Sequence, residues 1–131
     1  MVNNLNNYKM KKKTLLWLDD TRDPNALIGM YTWAQIYSPI GIDDVEIIWV
    51  KTYDEFCNWI KKFGLPTAIC FDNDLGEKME GCDCAKFLVE YCLDNNLPLP
   101  EFNIQSANPV AAYNIKKLLT NFKIFQNGLN N

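Results

Sequence analysis

Two short apolar runs, each ending in acidic residues, limit most strongly what this chain can fold into. "TLLWLDD" (residues 14–20) and "TAICFD" (residues 67–72) lack the alternation of apolar and polar residues that a half-exposed strand would show. Strands of this kind occur where helices cover both faces of a parallel sheet. The two runs therefore predict an α/β fold, with Asp19, Asp20 and Asp72 just past the ends of buried strands.

The rest of the sequence continues an alternation of strands and helices. "VEIIWVKT" (residues 45–52) and "FNIQS" (residues 102–106) read as two further strands, and "KIF" (residues 123–125) as a short last one. Helices are predicted for four segments, which are residues 24–37, 53–64, 83–95 and 109–122. This order predicts a flavodoxin-like, doubly wound, mostly parallel sheet of four to five strands.

The chain shows no internal repeat and no boundary between domains. We expect a flexible N-terminal arm over residues 1–13, one domain over residues 14–126, and a frayed C-terminus over residues 127–131. The long segment over residues 24–45 is a plausible lid or surface for a protein partner.

Composition excludes several classes of function. The formal net charge of -3 gives no bulk electrostatic reason to bind nucleic acid, and no apolar stretch approaches the ~20 residues that span a bilayer. Five cysteines without a loop-rich framework indicate reduced thiols and a cytoplasmic protein. A zinc site built from Cys82, Cys84 and Cys92 would lack a fourth ligand, since the chain has no His.

The acidic residues at the strand ends predict a cation site. In open α/β sheets, ligands bind outside the carboxyl ends of the strands. If the first and third strands are neighbours, Asp19, Asp20, Asp72 and Asp74 crowd into one pocket, where they must share protons or hold a cation. Oxygen ligands without His or Cys favour Mg2+, or Mn2+, bound by Asp19, Asp20 and Asp72.

A second group of residues suits a phosphate. Ser106 and Asn108 of "SANP" offer side-chain donors, and a helix that begins near Pro109 would point free backbone N–H groups at an anion. Arg22 lies two residues after the first acidic pair and would reach a phosphate oxygen. The predicted ligand is a phosphorylated small molecule or nucleotide.

Four motifs in sequence resemble those of the cyclic-phosphate processing receiver domain family. They are "LWLDDTRDP", "WVKTYDEF", "CFDNDLG" with a later "G.D", and "IQSANPVAAYNI". The resemblance implies a receiver-like fold and chemistry on cyclic or otherwise esterified phosphates. The chain departs from the family pattern at two positions, because Asn73 and Gln105 stand where typical members carry His. Amides hydrogen-bond a phosphate but do no acid–base work.

These features leave several functions open. The first is metal-assisted hydrolysis of a cyclic phosphate or phosphodiester, with Asp72 as a metal ligand and Asp74 as general base or further ligand. In this interpretation five candidate ligand-binding residues hold the phosphate. They are Arg22, Asn73, Gln105, Ser106 and Asn108. The alternatives are binding of a phosphorylated nucleotide without turnover, a phospho-accepting receiver with Asp72 as acceptor, and a purely structural role as helix caps.

Overall fold

The computed structural model describes residues 12–129 and is built from one four-stranded sheet with helices on both faces. Its strands are β1 (Lys13–Leu18), β2 (Leu27–Ile28), β3 (Tyr31–Thr32), β4 (Val45–Val50), β5 (Ala68–Phe71) and β6 (Glu101–Ile104). Its helices are α1 (Trp33–Tyr37), α2 (Tyr53–Phe63), α3 (Gly81–Asn95) and α4 (Pro109–Leu129). Within residues 12–129, no helix has both the length and the hydrophobicity needed to cross a bilayer.

The strand order confirms the predicted fold class. The large sheet runs β4-β1-β5-β6, and every pair in it is parallel. This is the flavodoxin-like order, in which the first strand lies between the second and third of the main sheet. The strands that carry the two acidic motifs, β1 and β5, are therefore neighbours, and their carboxyl ends meet at one edge.

The burial of β1 and β5 explains why their sequences do not alternate. Leu16, Leu18, Ile69 and Phe71 point to the face covered by α2, α3 and α4. The residues between them point to the other face, which Ala34 of α1 and partly buried side chains around it cover. All four residues of β5 are buried, so both faces of this strand select apolar side chains.

The helix α2 begins after Thr52, which caps its N-terminus. The Thr52 hydroxyl accepts a hydrogen bond from the backbone N–H of Glu55 at 3.1 Å. The Glu55 carboxylate accepts a hydrogen bond from the backbone N–H of Lys51 at 3.3 Å. The helix ends at Gly64, whose φ of 85° suits glycine.

The predicted helix over residues 24–37 is wrong for most of its length. Residues 27–32 form the β2–β3 hairpin, which turns at Gly29 with φ at 68°. Only Trp33–Tyr37 is helical, and Thr32 caps it in a capping box with Gln35. The glycine in a left-handed conformation breaks the apolar periodicity that had indicated one long helix.

The predicted final strand "KIF" is also wrong, because α4 continues through it to Leu129. Ile115, Leu119 and Phe122 are buried at helical spacing, and this apolar stripe carries the helix forward. The Gln126 side chain donates to the carbonyl of Leu97 at 2.8 Å. Residues 127–129, expected to be frayed, belong to this helix, whereas residues 1–11, 130 and 131 lie outside the described residues.

Candidate metal and phosphate site

Three carboxylates meet at the carboxyl ends of the two central strands. Asp19 and Asp20 follow β1, Asp72 follows β5, and one oxygen from each lies within 4.8 Å of the others. Asp19 is fully buried, Asp72 is 6% exposed and Asp20 is half-buried. The strand order thus brings together the three residues that the sequence nominated as metal ligands.

The Asp19 side chain is oriented by its own loop. Its Oδ1 accepts hydrogen bonds from the backbone N–H groups of Thr21, at 3.1 Å, and Arg22, at 2.9 Å. Its Oδ2 is buried without a hydrogen-bond partner in the described part of the chain and lies 3.6 Å from Nη1 of Arg22. One oxygen therefore fixes the carboxylate, and the other is left to a ligand.

Asp72 is the carboxylate whose protonation the pocket changes most. Burial, followed by the charges of Asp19 and Asp20, raises its pKa from 3.8 to about 7. The Arg22 charge and the backbone N–H of Asn73 oppose this rise and lower the pKa. Near neutral pH the pocket therefore binds a proton readily, and a cation would relieve the same repulsion.

The donor set and the space around it fit a hard divalent cation. All three ligand side chains supply oxygen, as Mg2+ and Mn2+ require. Gly76, with φ at 70°, passes so close that an added Cβ would lie 3.4 Å from Oδ2 of Asp20. A side chain at this position would narrow the space beside the carboxylates.

The "SANP" motif forms the N-terminal cap of α4 at the same edge of the sheet. The Ser106 hydroxyl accepts from the N–H of Asn108 at 3.1 Å, and Oδ1 of Asn108 accepts from the N–H of Ala111 at 3.1 Å. Nδ2 of Asn108 lies 3.5 Å from Oδ1 of Asp74. Asn108 therefore caps the helix with one side-chain atom and directs the other toward the acidic loop.

Asp74 lies outside the cluster of three carboxylates. It is exposed, and its Oδ1 accepts a hydrogen bond from Nδ2 of Asn73 at 3.0 Å. With Asn108 on its other side, Asp74 stands between two amides at the mouth of the pocket. This position suits a proton acceptor better than a ligand to the cation that Asp19, Asp20 and Asp72 would bind.

The two amides at the family's His positions are buried and hydrogen-bonded to backbone. Oδ1 of Asn73 accepts from the N–H of Cys82, in the first turn of α3, at 3.0 Å. Nε2 of Gln105 donates to the carbonyl of Leu18 at 2.9 Å. Both side chains are less than a tenth exposed, and each ties the end of one element to another.

Besides its contacts with Asp19, Arg22 is held over the site by three further contacts. Its Nη1 donates to the carbonyl of Gln105 at 2.6 Å, and its guanidinium lies 5.0 Å from the centroid of the Trp33 ring. The Trp17 indole N–H donates to the Arg22 carbonyl at 2.9 Å. These contacts use only part of the guanidinium fork, which has five donors.

Lys51 is a residue near the site that the sequence analysis did not select. It follows β4, and its Nζ lies 4.3 Å from the centroid of the Trp49 ring. The Trp49 indole N–H donates to the carbonyl of Asp19 at 2.7 Å. The predicted strand over residues 45–52 included Lys51, whereas β4 ends at Val50, so Lys51 follows its strand as Asp19 and Asp72 follow theirs.

Comparison with known proteins agrees with the fold and the motifs. The family model of the cyclic-phosphate processing receiver domain matches residues 14–121. No curated protein matches the chain. A solved structure described as the yeast Spc42 trimeric coiled coil fused to another structure is similar, with 21% identity and a TM-score of 0.55. This likeness, which covers 82% of this chain and 63% of that chain, shows the fold alone.

Proposed function

We propose that this chain, which belongs to the cyclic-phosphate processing receiver domain family, hydrolyses a cyclic phosphate or phosphodiester with a divalent cation. The observation that carries the proposal is the cluster of Asp19, Asp20 and Asp72 at the carboxyl ends of β1 and β5. Like charges at this separation favour a bound cation over an empty pocket. These three residues would hold Mg2+ or Mn2+.

The chain's other polar groups supply the phosphate side of the pocket. The free donors of Arg22, the hydroxyl of Ser106 and the amide of Asn108 would hold phosphate oxygens. The first turn of α4 adds the partial positive charge of a helix N-terminus. Binding of the ester would thus be shared between a cation on one side and hydrogen-bond donors on the other.

The reaction needs one proton acceptor, and Asp74 would take that role. Water adds its oxygen to phosphorus and passes one proton to Asp74 while a ring P–O bond breaks, and the leaving oxygen then takes up that proton from Asp74. The product is a phosphomonoester with a free hydroxyl group. When bound, the cation would act as a Lewis acid on the phosphate. The amides of Asn73 and Asn108 hold the Asp74 carboxylate in position.

Binding without turnover is a second candidate, and the two amides favour it. Asn73 and Gln105 are buried and donate or accept through fixed backbone contacts, so neither transfers a proton near neutral pH. If the family's chemistry depends on imidazole at these positions, the pocket would capture the phosphate ester and leave it intact.

Thermal denaturation with and without Mg2+, crossed with cyclic and linear nucleoside monophosphates, would test the proposal. The same mixtures would be analysed by chromatography for the ring-opened product. We expect Asp72→Asn to lose the stabilisation by Mg2+ together with turnover. Asp74→Asn should keep the stabilisation by Mg2+ and lose turnover.

Glu90→Gln, a change on the exposed side of α3, is the matched control and should behave as the wild type. Stabilisation by Mg2+ plus a cyclic phosphate without product would favour the binding protein. A wild-type chain that Mg2+ fails to stabilise under any of these conditions would reject both candidates.

A further inference from the structure

We propose that Lys51 forms a second anion subsite, so that the preferred ligand carries two linked phosphate groups. This inference rests on the proposed phosphate site and adds a ligand class to it, namely diphosphates. Arg22 with the α4 terminus would hold one phosphate group, and Lys51 would hold the other.

The sheet places Lys51 beside the acidic cluster. β1 and β4 pair in parallel register as far as Leu18 and Val50, and the N–H of Asp19 donates to the carbonyl of Val50 at 3.0 Å. Continuing this register by one residue sets Lys51 opposite Asp19. Lys51 therefore lies beside Asp19 on the β4 side, and Asp72 lies beside Asp19 on the β5 side.

The ammonium group of Lys51 lies over an aromatic ring. Its Nζ lies over Trp49, and the indole of Trp49 is anchored to the carbonyl of Asp19. Within residues 12–129, the one ion pair joins Arg22 to Asp19, so no carboxylate pairs with Nζ of Lys51, and the nearby Glu55 carboxylate accepts from the Lys51 backbone N–H instead. An ammonium group that is positioned by a ring and is outside any ion pair is suited to an external anion.

Arg22 and Lys51 lie on opposite sides of Asp19 at the carboxyl edge of the sheet. Trp33 beneath Arg22 and Trp49 beneath Lys51 belong to one cluster on one face of the sheet. The Arg22 guanidinium lies between the ends of β1 and β6, because its Nη1 is 3.6 Å from Oδ2 of Asp19 and 2.6 Å from the carbonyl of Gln105, whereas Lys51 follows β4 on the other side of Asp19. At ~4.8 Å per strand the two cations are separated by about two strand spacings, roughly 10 Å, which leaves room for two adjacent phosphates between them.

Calorimetric titration with inorganic phosphate and with pyrophosphate, both at a fixed free Mg2+ concentration, would test the subsite. We expect the wild type to bind pyrophosphate about tenfold or more tightly than phosphate, since a charge-assisted contact is added. Lys51→Met should remove that preference and leave phosphate affinity unchanged. Lys62→Met is the matched control, because Lys62 also lies over a ring, that of Phe63, but in the last turn of α2.

The outcomes separate this inference from the proposed function. Phosphate binding without a preference for pyrophosphate would overturn the second subsite alone. An equal loss of both anions in Lys51→Met would also overturn it, since it would indicate a general electrostatic effect. If the wild type binds neither anion in the presence of Mg2+, the proposed function fails together with the subsite.

Discussion

Asp72 shows how one buried residue links the stability of this protein to its site. The carboxylate is 6% exposed, and the apolar surroundings that make β5 a central strand also make its charge unfavourable. Asp19 and Asp20 add like charge to the same space. The ionised Asp72 carboxylate therefore destabilises the folded protein unless the pocket holds a proton or a cation.

Removing the charge of Asp72 should stabilise the metal-free protein above neutral pH. Its pKa rises from 3.8 to about 7 on folding, so the folded state binds the proton more tightly than the unfolded chain. The free energy of unfolding is therefore highest below the lower pKa and falls as pH rises from about 4 to about 7. Asp72→Asn should abolish this fall and stabilise the metal-free protein by roughly 2–4 kcal/mol at about pH 8.

Urea denaturation of both proteins in the presence of a chelator, at about pH 5 and about pH 8, measures this difference. The two proteins should approach each other in stability at the lower pH. Glu90→Gln, on an exposed helix face, controls for removal of a negative charge in general. A variant Asp72→Asn that is less stable than the wild type at both pH values would show that the carboxylate has a structural role.

At the residue scale, the sequence predicted positions better than contacts. Asp19, Asp20 and Asp72 could be placed together because backbone topology alone brings parallel strand ends to one edge. The contact of Arg22 could not be predicted, since it depends on where Trp33 of another segment packs. The contact of Lys51 with Trp49, two residues earlier, depends on the direction that the long lysine side chain takes. Long side chains adopt their direction only after the core around them has formed.

At the scale of elements, the start of α3 packs tightly against the backbone that follows β5. The N–H of Gly81 donates to the carbonyl of Asn73 at 2.8 Å, and an added Cβ on Gly81 would lie 1.9 Å from the carbonyl oxygen of Asp72. No side chain fits in this space. The helix thus fixes the backbone that carries Asp72 and Asn73.

Gly81→Ala should destabilise the protein by about 2 kcal/mol or more, because either the helix or the backbone that carries Asp72 must shift. Gly128→Ala is the matched control, since Gly128 lies in α4 with open space around it, and the change should stabilise the helix slightly. Chemical denaturation compares the two variants, and Mg2+ titration shows whether the site moves. Equal stability of both variants would contradict the close packing at Gly81.

Elements whose identity depends on local signals were predicted well, and those that depend on distant packing were not. Thr52 and Gly64 mark the ends of α2 through their own cap chemistry, which is readable in the sequence. The hairpin of β2 and β3 leaves Leu27, Met30 and Tyr31 exposed, so its apolar residues gave a false helical pattern. The segment "KIF" has strand-forming residues, but its place in α4 follows from the stripe that begins earlier in the helix.

At the scale of the whole molecule, the two faces of the sheet are covered unequally. The helices α2, α3 and α4 pack on one face, and short α1 with the residues around it covers the other. The acidic cluster joins β1 to β5, the two central strands of the sheet. A cation bound there would cross-link the centre of the fold, and its binding free energy would add to the stability of the entire domain.

This coupling predicts that stabilisation by Mg2+ depends on pH. The cation must displace the proton from Asp72, whose pKa is about 7, so its apparent affinity should fall about tenfold for each pH unit below that value. A tenfold excess of Mg2+ over its Kd adds about 1.4 kcal/mol, or roughly 3–5 °C in Tm for a domain of this size. Thermal denaturation at a constant Mg2+ concentration should therefore show this shift at about pH 8 and almost none at about pH 5.

Because Asp72→Asn carries no proton to displace, any remaining shift in that variant should be independent of pH. An equal shift in the wild type at both pH values would place the cation away from Asp72, and the acidic cluster would then lose its role as the metal site.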